Sequence, residues 1–266
     1  HWAYPWIRRL AFWKYYRDYF PVKLIKTTEL DPRCRYIMGC HPHGIMGCGF
    51  WSALATEANG WGTLFPGIDL HLLGMKVIFQ FPLYREYCMA LGLCDVSRES
   101  IEYWMRKAPG TAVGIVVGGA KEAREDDYQN VKLVLKNRKG FVKLAIQTGA
   151  HLVPVFSFGE NDVYRLYHPD DGSWIDRFQR FVHAKTRLAP VVFFGRGFFN
   201  YTMGFLPKRR PITVIIGAPI PTVQNPQPTE EEIDHAHRRY LDDLRDLFDS
   251  HKASCGYPNA QLSYID

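Results

Sequence analysis

The stretch RYIMGCHPHGIMGCG, residues 35–49, decides the fold of this 266-residue chain. Residues 35–40 are largely apolar and predict a buried strand, and residues 45–57 predict a helix. A strand that runs through HPHG into a helix is typical of an α/β sheet, in which functional sites lie at the carboxyl ends of strands. The N-terminus of the predicted helix disfavours a charged imidazole, so we expect His41 to be a neutral proton acceptor.

The HPHG motif admits other interpretations. His41 and His43 are spaced like metal ligands, but no further ligand cluster accompanies them in the sequence, so we expect no metal. A structural turn held by imidazole hydrogen bonds stays open as an alternative. The order Gly44, Gly47, Gly49 does not match a dinucleotide fingerprint. We expect Gly44 to let a substrate approach the backbone closely.

Predicted strands and helices alternate along the rest of the chain. Further strands are predicted at residues 93–96, 111–117, 151–156, 191–194 and 212–216. Helices are predicted at residues 84–91, 98–107 after a Ser97 cap, 140–149 with Gly149 as the stop, and from a Thr229–Glu232 capping box onwards. This order predicts an α/β fold with a mostly parallel central sheet flanked by helices. We expect residues 28–266 to form one domain.

A second motif, GGAKEA at residues 118–123, follows the predicted strand 111–117. Gly118 and Gly119 allow a substrate to approach closely. The carboxylate of Glu122 is suited to orienting an imidazole or to binding a substrate hydroxyl. The alternative is a turn in which Glu122 is solvated.

Three basic residues are candidates for binding phosphate. Arg98 lies in LCDVSRES, just after a short predicted strand, and Arg138 and Lys139 lie in KNRKG, just before a predicted helix. Guanidinium groups bind phosphate well, and helix N-termini favour anions. Each of these residues is also compatible with an ordinary solvated surface.

Composition limits the class of protein. The chain is 47% hydrophobic and 23% charged, which is the balance of a globular domain, and its net charge is +6. No recognition motif supports nucleic-acid binding. The six cysteines contain no Cys-x-x-Cys pair and are expected to be reduced thiols.

The aromatic fraction, 15%, exceeds what a core of this size requires. In residues 1–27, aromatic side chains alternate with arginines and lysines, which is typical of a membrane interface; a cationic helix packed on the domain is the alternative. The segment FFNYTMGFLPKRR, residues 198–210, again places apolar side chains beside cations. No run of about 18 apolar residues predicts a membrane-spanning helix.

Several motifs in order, YIMGCHPHGI (36–45), VVGGAKEA (116–123) and PVFSFGEND (154–162), resemble the diacylglycerol O-acyltransferase type 2 family. This family also contains monoacylglycerol and wax-ester acyltransferases. The resemblance implies a glycerolipid acyltransferase-like fold, acyl-CoA as co-substrate, no other cofactor, and diacylglycerol or a similar neutral lipid as acceptor. It also implies the cytosolic face of the endoplasmic reticulum membrane or a lipid droplet, with a hydrophobic hairpin before residue 1. A homo-oligomer is compatible with it.

The resemblance assigns roles to the candidate residues. His41 stands at the catalytic His of the wider superfamily's His-x-x-x-x-Asp motif, but Met46 stands at the Asp. Glu122 is the candidate partner of His41, and Gly118, Gly119 or His43 stabilise the oxyanion. Arg98, Arg138 and Lys139 would hold the coenzyme A phosphates. The predicted activity is acyl transfer to diacylglycerol with His41 as base; a monoacylglycerol or wax-ester acyltransferase and a non-catalytic lipid-binding protein are the alternatives.

Overall fold

The computed structural model describes residues 3–122, 129–167, 172–186, 192–201 and 203–266. Within these ranges the strands are β1 (Val22–Lys26), β2 (Tyr36–His41), β3 (Asp69–Gly74), β4 (Cys94–Asp95), β5 (Thr111–Val116), β6 (Asn130–Val134), β7 (His151–Phe158), β8 (Arg165–Tyr167), β9 (Val192–Phe194), β10 (Ile212–Ile216) and β11 (Gln261–Ile265). The helices are α1 (Pro5–Arg8), α2 (Phe12–Tyr19), α3 (Cys48–Phe50), α4 (Trp61–Leu64), α5 (Tyr84–Ala90), α6 (Arg98–Met105), α7 (Gly119–Glu122), α8 (Gly140–Thr148), α9 (Trp174–Thr186) and α10 (Glu230–His251). A π-helical segment (Trp51–Ala55) continues α3, and 3₁₀ turns cover Lys76–Gln80 and Glu160–Asp162.

Seven of the described strands form the central sheet, in the order β1-β10-β7-β2-β5-β3-β4. Strands β7, β2, β5, β3 and β4 all run in the same direction. Strand β10 is antiparallel to β7, and β1 is parallel to β10. The predicted α/β fold with a mostly parallel sheet is therefore confirmed. Two smaller described sheets pair β6 with β11 and β8 with β9.

Helices pack on both faces of the central sheet because its strands are apolar on both sides. Along β2, successive side chains point to opposite faces. Met38 and Cys40 belong to a core that also contains Trp13 of α2. Ile37 belongs to the other core, with Phe141 of α8 and Tyr240 of α10. The face of the sheet to which each β2 side chain points thus depends on whether its position in the strand is odd or even.

The site is positioned by the carboxyl ends of three central strands. Strands β7, β2 and β5 are neighbours and run parallel, so their carboxyl ends, at Phe158, His41 and Val116, lie at one edge of the sheet. The loops that follow carry the HPHG motif, Glu122 and Glu160. This arrangement brings residues from three distant parts of the chain to one edge, as expected for a parallel sheet.

The predicted helix ends are confirmed where they depend on local chemistry. The Ser97 hydroxyl accepts from the Ser100 N–H at the start of α6, and Thr229 and Glu232 form both bonds of a capping box. Gly149, with φ 68°, ends α8.

Two predicted elements differ from the structure. The helix predicted from residue 45 is wrong at its start: α3 begins at Cys48, because Gly44 and Gly47 have φ of 57° and 64° and hold an open loop. The strand predicted at 191–194 corresponds to β9, which pairs with β8 outside the central sheet; residue 191 lies outside the described residues.

Residues 1–27, predicted as a membrane-interface segment, are partly integrated into the fold. Strand β1 is an edge strand of the central sheet, and Trp13 is buried in the core. On α1 and α2 the side chains of Trp6, Phe12 and Tyr15 are exposed. Among the described helices, none combines the length and apolar character that a bilayer crossing requires.

Candidate active site

His41 is the last residue of β2, and its ring lies in the core at 0% exposure. The Tyr240 hydroxyl lies 2.9 Å from His41 Nε2 and donates to the Gly39 carbonyl oxygen at 3.2 Å. Because that hydroxyl has one proton, we assign the His41 Nε2–H as the donor to Tyr240. The His41 Nδ1 atom then has no partner among the described residues. Burial lowers the pKa of His41 to about 3, so the ring is neutral.

His41, expected as a proton acceptor at the end of its strand, has its ring in the core instead. Strand β2 extends one residue further than predicted, and its alternation turns the His41 ring to the same face as Ile37. The proposed cause of its neutrality also differs. A helix does not begin directly after the motif, and burial is what lowers the pKa of His41.

His43 lies in the loop after β2 and is partly buried. Its Nδ1 lies 2.7 Å from the carbonyl oxygen of Gly44. Because a carbonyl only accepts, Nδ1 carries the proton, and in a neutral ring Nε2 then holds the lone pair. Burial lowers the pKa of His43, and the Gly44 carbonyl opposes this effect. His43 therefore has the tautomer that a general base requires.

Met46 does not take over the role that the resemblance assigns to the Asp of the superfamily motif. Met46 occupies the place of the motif's Asp, yet its side chain is exposed and its sulfur accepts from the Tyr164 hydroxyl at 3.3 Å. It orients neither histidine in any described contact. The backbone carbonyl of Gly44 instead holds the His43 ring.

Glu122, on α7, is 1% exposed and accepts two backbone hydrogen bonds. Its Oε2 accepts from the His43 N–H at 2.9 Å, and its Oε1 accepts from the Val134 N–H at 3.2 Å. Burial raises the pKa of Glu122 to about 7, against the lowering effect of these bonds and of Arg138. Glu122 thus positions the His43 backbone; the expected contact with the His41 ring is absent from the described contacts. Residue 123, at the end of this motif, lies outside the described residues.

Glu160 is a second buried carboxylate at this edge, and the sequence interpretation missed it. Its Oε2 accepts from the Gly49 N–H at 2.9 Å and from the Ser157 hydroxyl at 3.1 Å. Burial raises the pKa of Glu160 to about 7. A Cβ on Gly44 would lie 2.6 Å from Glu160 Cγ. The signal was present in the sequence, because Glu160 follows its strand at the same edge as Glu122 does.

The two buried carboxylates therefore hold the HPHG loop from both ends. Glu122 binds the backbone at His43, and Glu160 binds it at Gly49 and packs against Gly44. Gly44 is required by this packing, whereas it was expected to make room for substrate. The result is a loop whose backbone is fixed while the His43 ring remains partly accessible.

Gly118 and Gly119 have different surroundings. A Cβ on Gly118 would collide with the Glu122 carboxylate, so this glycine lets Glu122 fold back under the loop. Gly119 has φ 65°, and a Cβ there would meet none of the described residues within 4 Å. The absence of described neighbours beside Gly119 is consistent with the predicted substrate approach, which stays a prediction.

The three basic candidates do not converge on the site in the described contacts. Arg98 donates to Glu102 at 2.6 Å and to Gln147 at 3.1 Å, and lines a surface pocket with those residues. Lys139 forms an ion pair with Asp234 at 2.5 Å. Arg138 is exposed but close enough to Glu122 to lower its pKa. Of the three, Arg138 is the one with a described electrostatic effect on a residue of the site, Glu122.

Cys40 is not suited to forming an acyl-enzyme. Its thiol is 0% exposed on the sheet face opposite His41, and burial raises its pKa well above the usual range. A thiolate nucleophile requires a lowered pKa and access to substrate. All six cysteines of the chain are free thiols, as predicted.

Comparison with known proteins identifies the class. Residues 2–264 match the profile described as diacylglycerol acyltransferase. The chain is a lipid acyltransferase and belongs to the diacylglycerol acyltransferase family, which confirms the resemblance seen in the motifs.

Its relatives act on different acceptors. Human 2-acylglycerol O-acyltransferase 3 is 48% identical over 95% of this chain and 75% of its own length. Human diacylglycerol O-acyltransferase 2 is 43% identical over 98% of this chain and 68% of its own. Human acyl-CoA wax alcohol acyltransferase 2 is 41% identical over 96% of this chain and 77% of its own length.

A solved structure of lower similarity is the 1-acyl-sn-glycerophosphate acyltransferase PlsC from Thermotoga maritima. It is 12% identical, with a TM-score of 0.47, over 90% of this chain and 80% of its own. That similarity says nothing about the chemistry of this site.

Proposed function

We propose that this acyltransferase moves a fatty acyl group from coenzyme A to the hydroxyl of diacylglycerol, with His43 as general base. The family membership and the acyl-CoA-dependent relatives support the donor. The observation that carries the catalytic assignment is the bond from His43 Nδ1 to the Gly44 carbonyl, which leaves the lone pair on Nε2. This assignment replaces the sequence-based prediction of His41.

The proposed reaction is a direct transfer. His43 Nε2 removes the proton from the acceptor hydroxyl as its oxygen attacks the thioester carbonyl. The tetrahedral intermediate then collapses, the C–S bond breaks, and the coenzyme A sulfur takes the proton from His43. Backbone N–H groups near Gly119, where a Cβ would meet none of the described residues, are the proposed oxyanion donors.

In this proposal His41 and Glu122 are positioning residues. His41 ties the end of β2 to α10 through Tyr240, and Glu122 holds the His43 backbone. Neither contacts the reacting atoms. Their loss is expected to displace the His43 ring, and misplacement by about 1 Å can cost roughly 100-fold in rate.

The test is free-thiol release from oleoyl-coenzyme A by the chain in detergent, offered diacylglycerol, monoacylglycerol or hexadecanol. For His43→Gln we expect turnover to fall by about 10²–10⁴-fold with an unchanged unfolding temperature, because proton transfer contributes that range. His41→Gln is expected to lower the unfolding temperature and to retain more turnover than His43→Gln. His235→Gln, at an exposed position on α10, is the matched control.

The reverse pattern would return the role of base to His41. It would consist of a folded but inactive His41→Gln and a fully active His43→Gln.

For Glu122→Gln we expect a large fall in kcat with nearly unchanged coenzyme A binding, since one amide oxygen replaces two carboxylate acceptors. Wild-type kcat in that variant would remove Glu122 from the site.

A second acceptor is favoured by one observation. The relative named 2-acylglycerol O-acyltransferase is 48% identical, against 43% for diacylglycerol O-acyltransferase 2. Monoacylglycerol is therefore the second candidate, and hexadecanol tests the wax-ester alternative. Thiol release that depends on one acceptor names the substrate, and lipid binding without thiol release would contradict the catalytic proposal.

The proposed location is the cytosolic face of the endoplasmic reticulum membrane or a lipid droplet. The exposed rings of Trp6, Phe12 and Tyr15, with basic neighbours in the same segment, support contact with a lipid surface.

A further inference from the structure

Five cationic side chains converge beside the small β8–β9 sheet. They form what we call the basic pocket, a cavity of about 510 Å³ lined by Tyr201 together with Arg165, Arg196, Lys208, Arg209 and Arg210. The cations come from the start of β8, from the turn just after β9 and from the segment that leads into β10. Tertiary structure thus assembles the cluster from three places in the chain.

The backbone around the basic pocket is well connected. Arg196 and Leu206 exchange two backbone hydrogen bonds, of 2.7 and 3.0 Å, which close the loop between them. The Lys208 N–H donates to the Val163 carbonyl at 2.8 Å. The positions from which these cations project are therefore set by backbone bonds.

The cations of the basic pocket form no ion pairs within the described part of the chain. None of the ion pairs found there includes any of the five cations. Burial lowers the pKa of Lys208, and the charges of Arg165 and Arg210 lower it further, while Asp162 opposes them. Cations held this close to one another favour a multiply charged anion.

The loop closed by Arg196 and Leu206 is apolar at its tip. We call residues 197–201 and 203–205 the apolar loop; residue 202 lies outside the described residues. Phe199 is 95% exposed, and other apolar side chains of the loop are exposed as well, namely Phe198, Tyr201, Met203 and Phe205. Exposed apolar clusters of this kind mark binding sites for lipid or protein.

The apolar loop lies at the tip and the basic pocket at the base, which matches the order of acyl chains and phosphates in a membrane leaflet. Apolar rings at the tip suit the acyl region, and cations at the base suit the phosphate level just above it. A free nucleotide would match the cations but would leave the apolar tip in water. The charge and the apolar side chains together favour a phospholipid.

We propose that the basic pocket binds the phosphate groups of anionic membrane phospholipids while the apolar loop inserts into the same leaflet. This site is separate from the transfer chemistry, although it rests on the proposed location at a membrane. The pocket is linked to the HPHG loop through Tyr164, the residue before Arg165, because the Tyr164 hydroxyl donates to the Met46 sulfur. A lipid surface held here would lie beside the HPHG loop.

Vesicle flotation tests the site without relying on catalysis. The variant is Arg165→Gln/Arg210→Gln, because neither side chain has a described hydrogen bond and the fold should tolerate the change. The full chain is floated with phosphatidylcholine vesicles and with vesicles that also contain phosphatidylserine. A basic residue near an anionic surface contributes about 5-fold in affinity, so we expect the double variant to lose roughly 30-fold on the anionic vesicles.

The control is Arg238→Gln/Arg239→Gln, which removes the same charge from exposed positions on α10. We expect this control to bind anionic vesicles like the wild type, and both variants to bind phosphatidylcholine equally. Phe199→Ser/Phe205→Ser should weaken binding to both kinds of vesicle, because it removes the inserted rings.

Two results would overturn the proposal. One is equal loss of anionic-vesicle binding in both arginine pairs, which would indicate a net-charge effect. The other is unchanged vesicle binding in Arg165→Gln/Arg210→Gln with weakened binding of free coenzyme A by calorimetry, which would assign the pocket to a nucleotide phosphate. Thiol release in detergent, measured on the same variants, reports separately on the proposed function.

Discussion

Two histidines two positions apart have opposite surroundings in this protein. The His41 ring is buried against Tyr240, whereas the His43 ring is held by a backbone carbonyl in a partly accessible loop. Burial lowers the pKa of both, so neither needs a carboxylate to stay neutral. The proposed mechanism does not require an Asp at position 46, because the Gly44 carbonyl selects the tautomer of His43.

The buried His41 predicts a dependence of stability on pH. Its pKa is about 3 in the folded protein and near 6.5 in the unfolded chain, so only the unfolded chain takes up this proton between those values. The free energy of unfolding is therefore lost as pH falls from 6.5 toward 3. In His41→Gln we expect the slope of the unfolding free energy against pH, between pH 3 and 6.5, to be smaller by about 1.4 kcal/mol per pH unit.

Urea unfolding at several pH values between 4 and 7 measures this slope. His235→Gln, exposed on α10, should keep the wild-type slope. An unchanged slope in His41→Gln would show that His41 titrates normally in the folded protein and is not in the core.

At the scale of elements, the contact between β2 and α10 positions the end of the strand. Gly39 has no side chain, and the Tyr240 hydroxyl occupies the space where a Cβ would be. From there the hydroxyl reaches both the Gly39 carbonyl and His41. A glycine in the middle of a buried strand is thus required by close approach of a side chain from a helix.

This packing predicts a coupled pair of substitutions. Gly39→Ala should lower the free energy of unfolding by about 1–3 kcal/mol, because the methyl group collides with Tyr240. Tyr240→Phe removes the colliding oxygen, so the double variant should be more stable than the sum of the two single effects predicts. A double-mutant cycle by urea denaturation measures the coupling, expected at about 0.5–3 kcal/mol. Strict additivity would show that the two residues do not touch.

On the scale of the whole molecule, exposed aromatic side chains recur on the N-terminal helices as well as on the apolar loop. The Tyr19 hydroxyl at the end of α2 donates to the Pro207 carbonyl at 2.6 Å and accepts from Arg196 at 2.7 Å. The N-terminal helices and the apolar loop are thus neighbours. In the proposed membrane-bound state their exposed rings would meet one lipid surface.

The exposed rings of the N-terminal helices predict binding to a neutral lipid surface, which does not depend on charge. Trp6→Ser/Phe12→Ser/Tyr15→Ser should weaken flotation with neutral phosphatidylcholine vesicles, because aromatic side chains favour the membrane interface. Tyr103→Ser/Val223→Ser replaces exposed apolar side chains elsewhere and serves as control. Equal binding of both variants would place the lipid-facing surface on another part of the molecule.

The sequence by itself determined whatever depends on neighbours in the chain. Apolar runs predicted five of the seven central strands, all but β1 and β3. The caps at Ser97, Thr229 and Gly149 marked helix ends, because each arises from hydrogen bonds or backbone angles within a few residues. The motifs in order also determined the family. Glu122 was identified because a carboxylate just after a strand is a local signal.

Only the tertiary structure decided which residues meet. β2 ends one residue later than predicted, at His41, and this turns the His41 ring into the core, since strand side chains alternate between faces. Tyr240 is some two hundred residues from His41 in sequence, and in sequence it is one more apolar position on a helix. The five cations of the basic pocket are likewise separated along the chain. Such contacts depend on the packing of distant segments, for which the sequence carries no local signal.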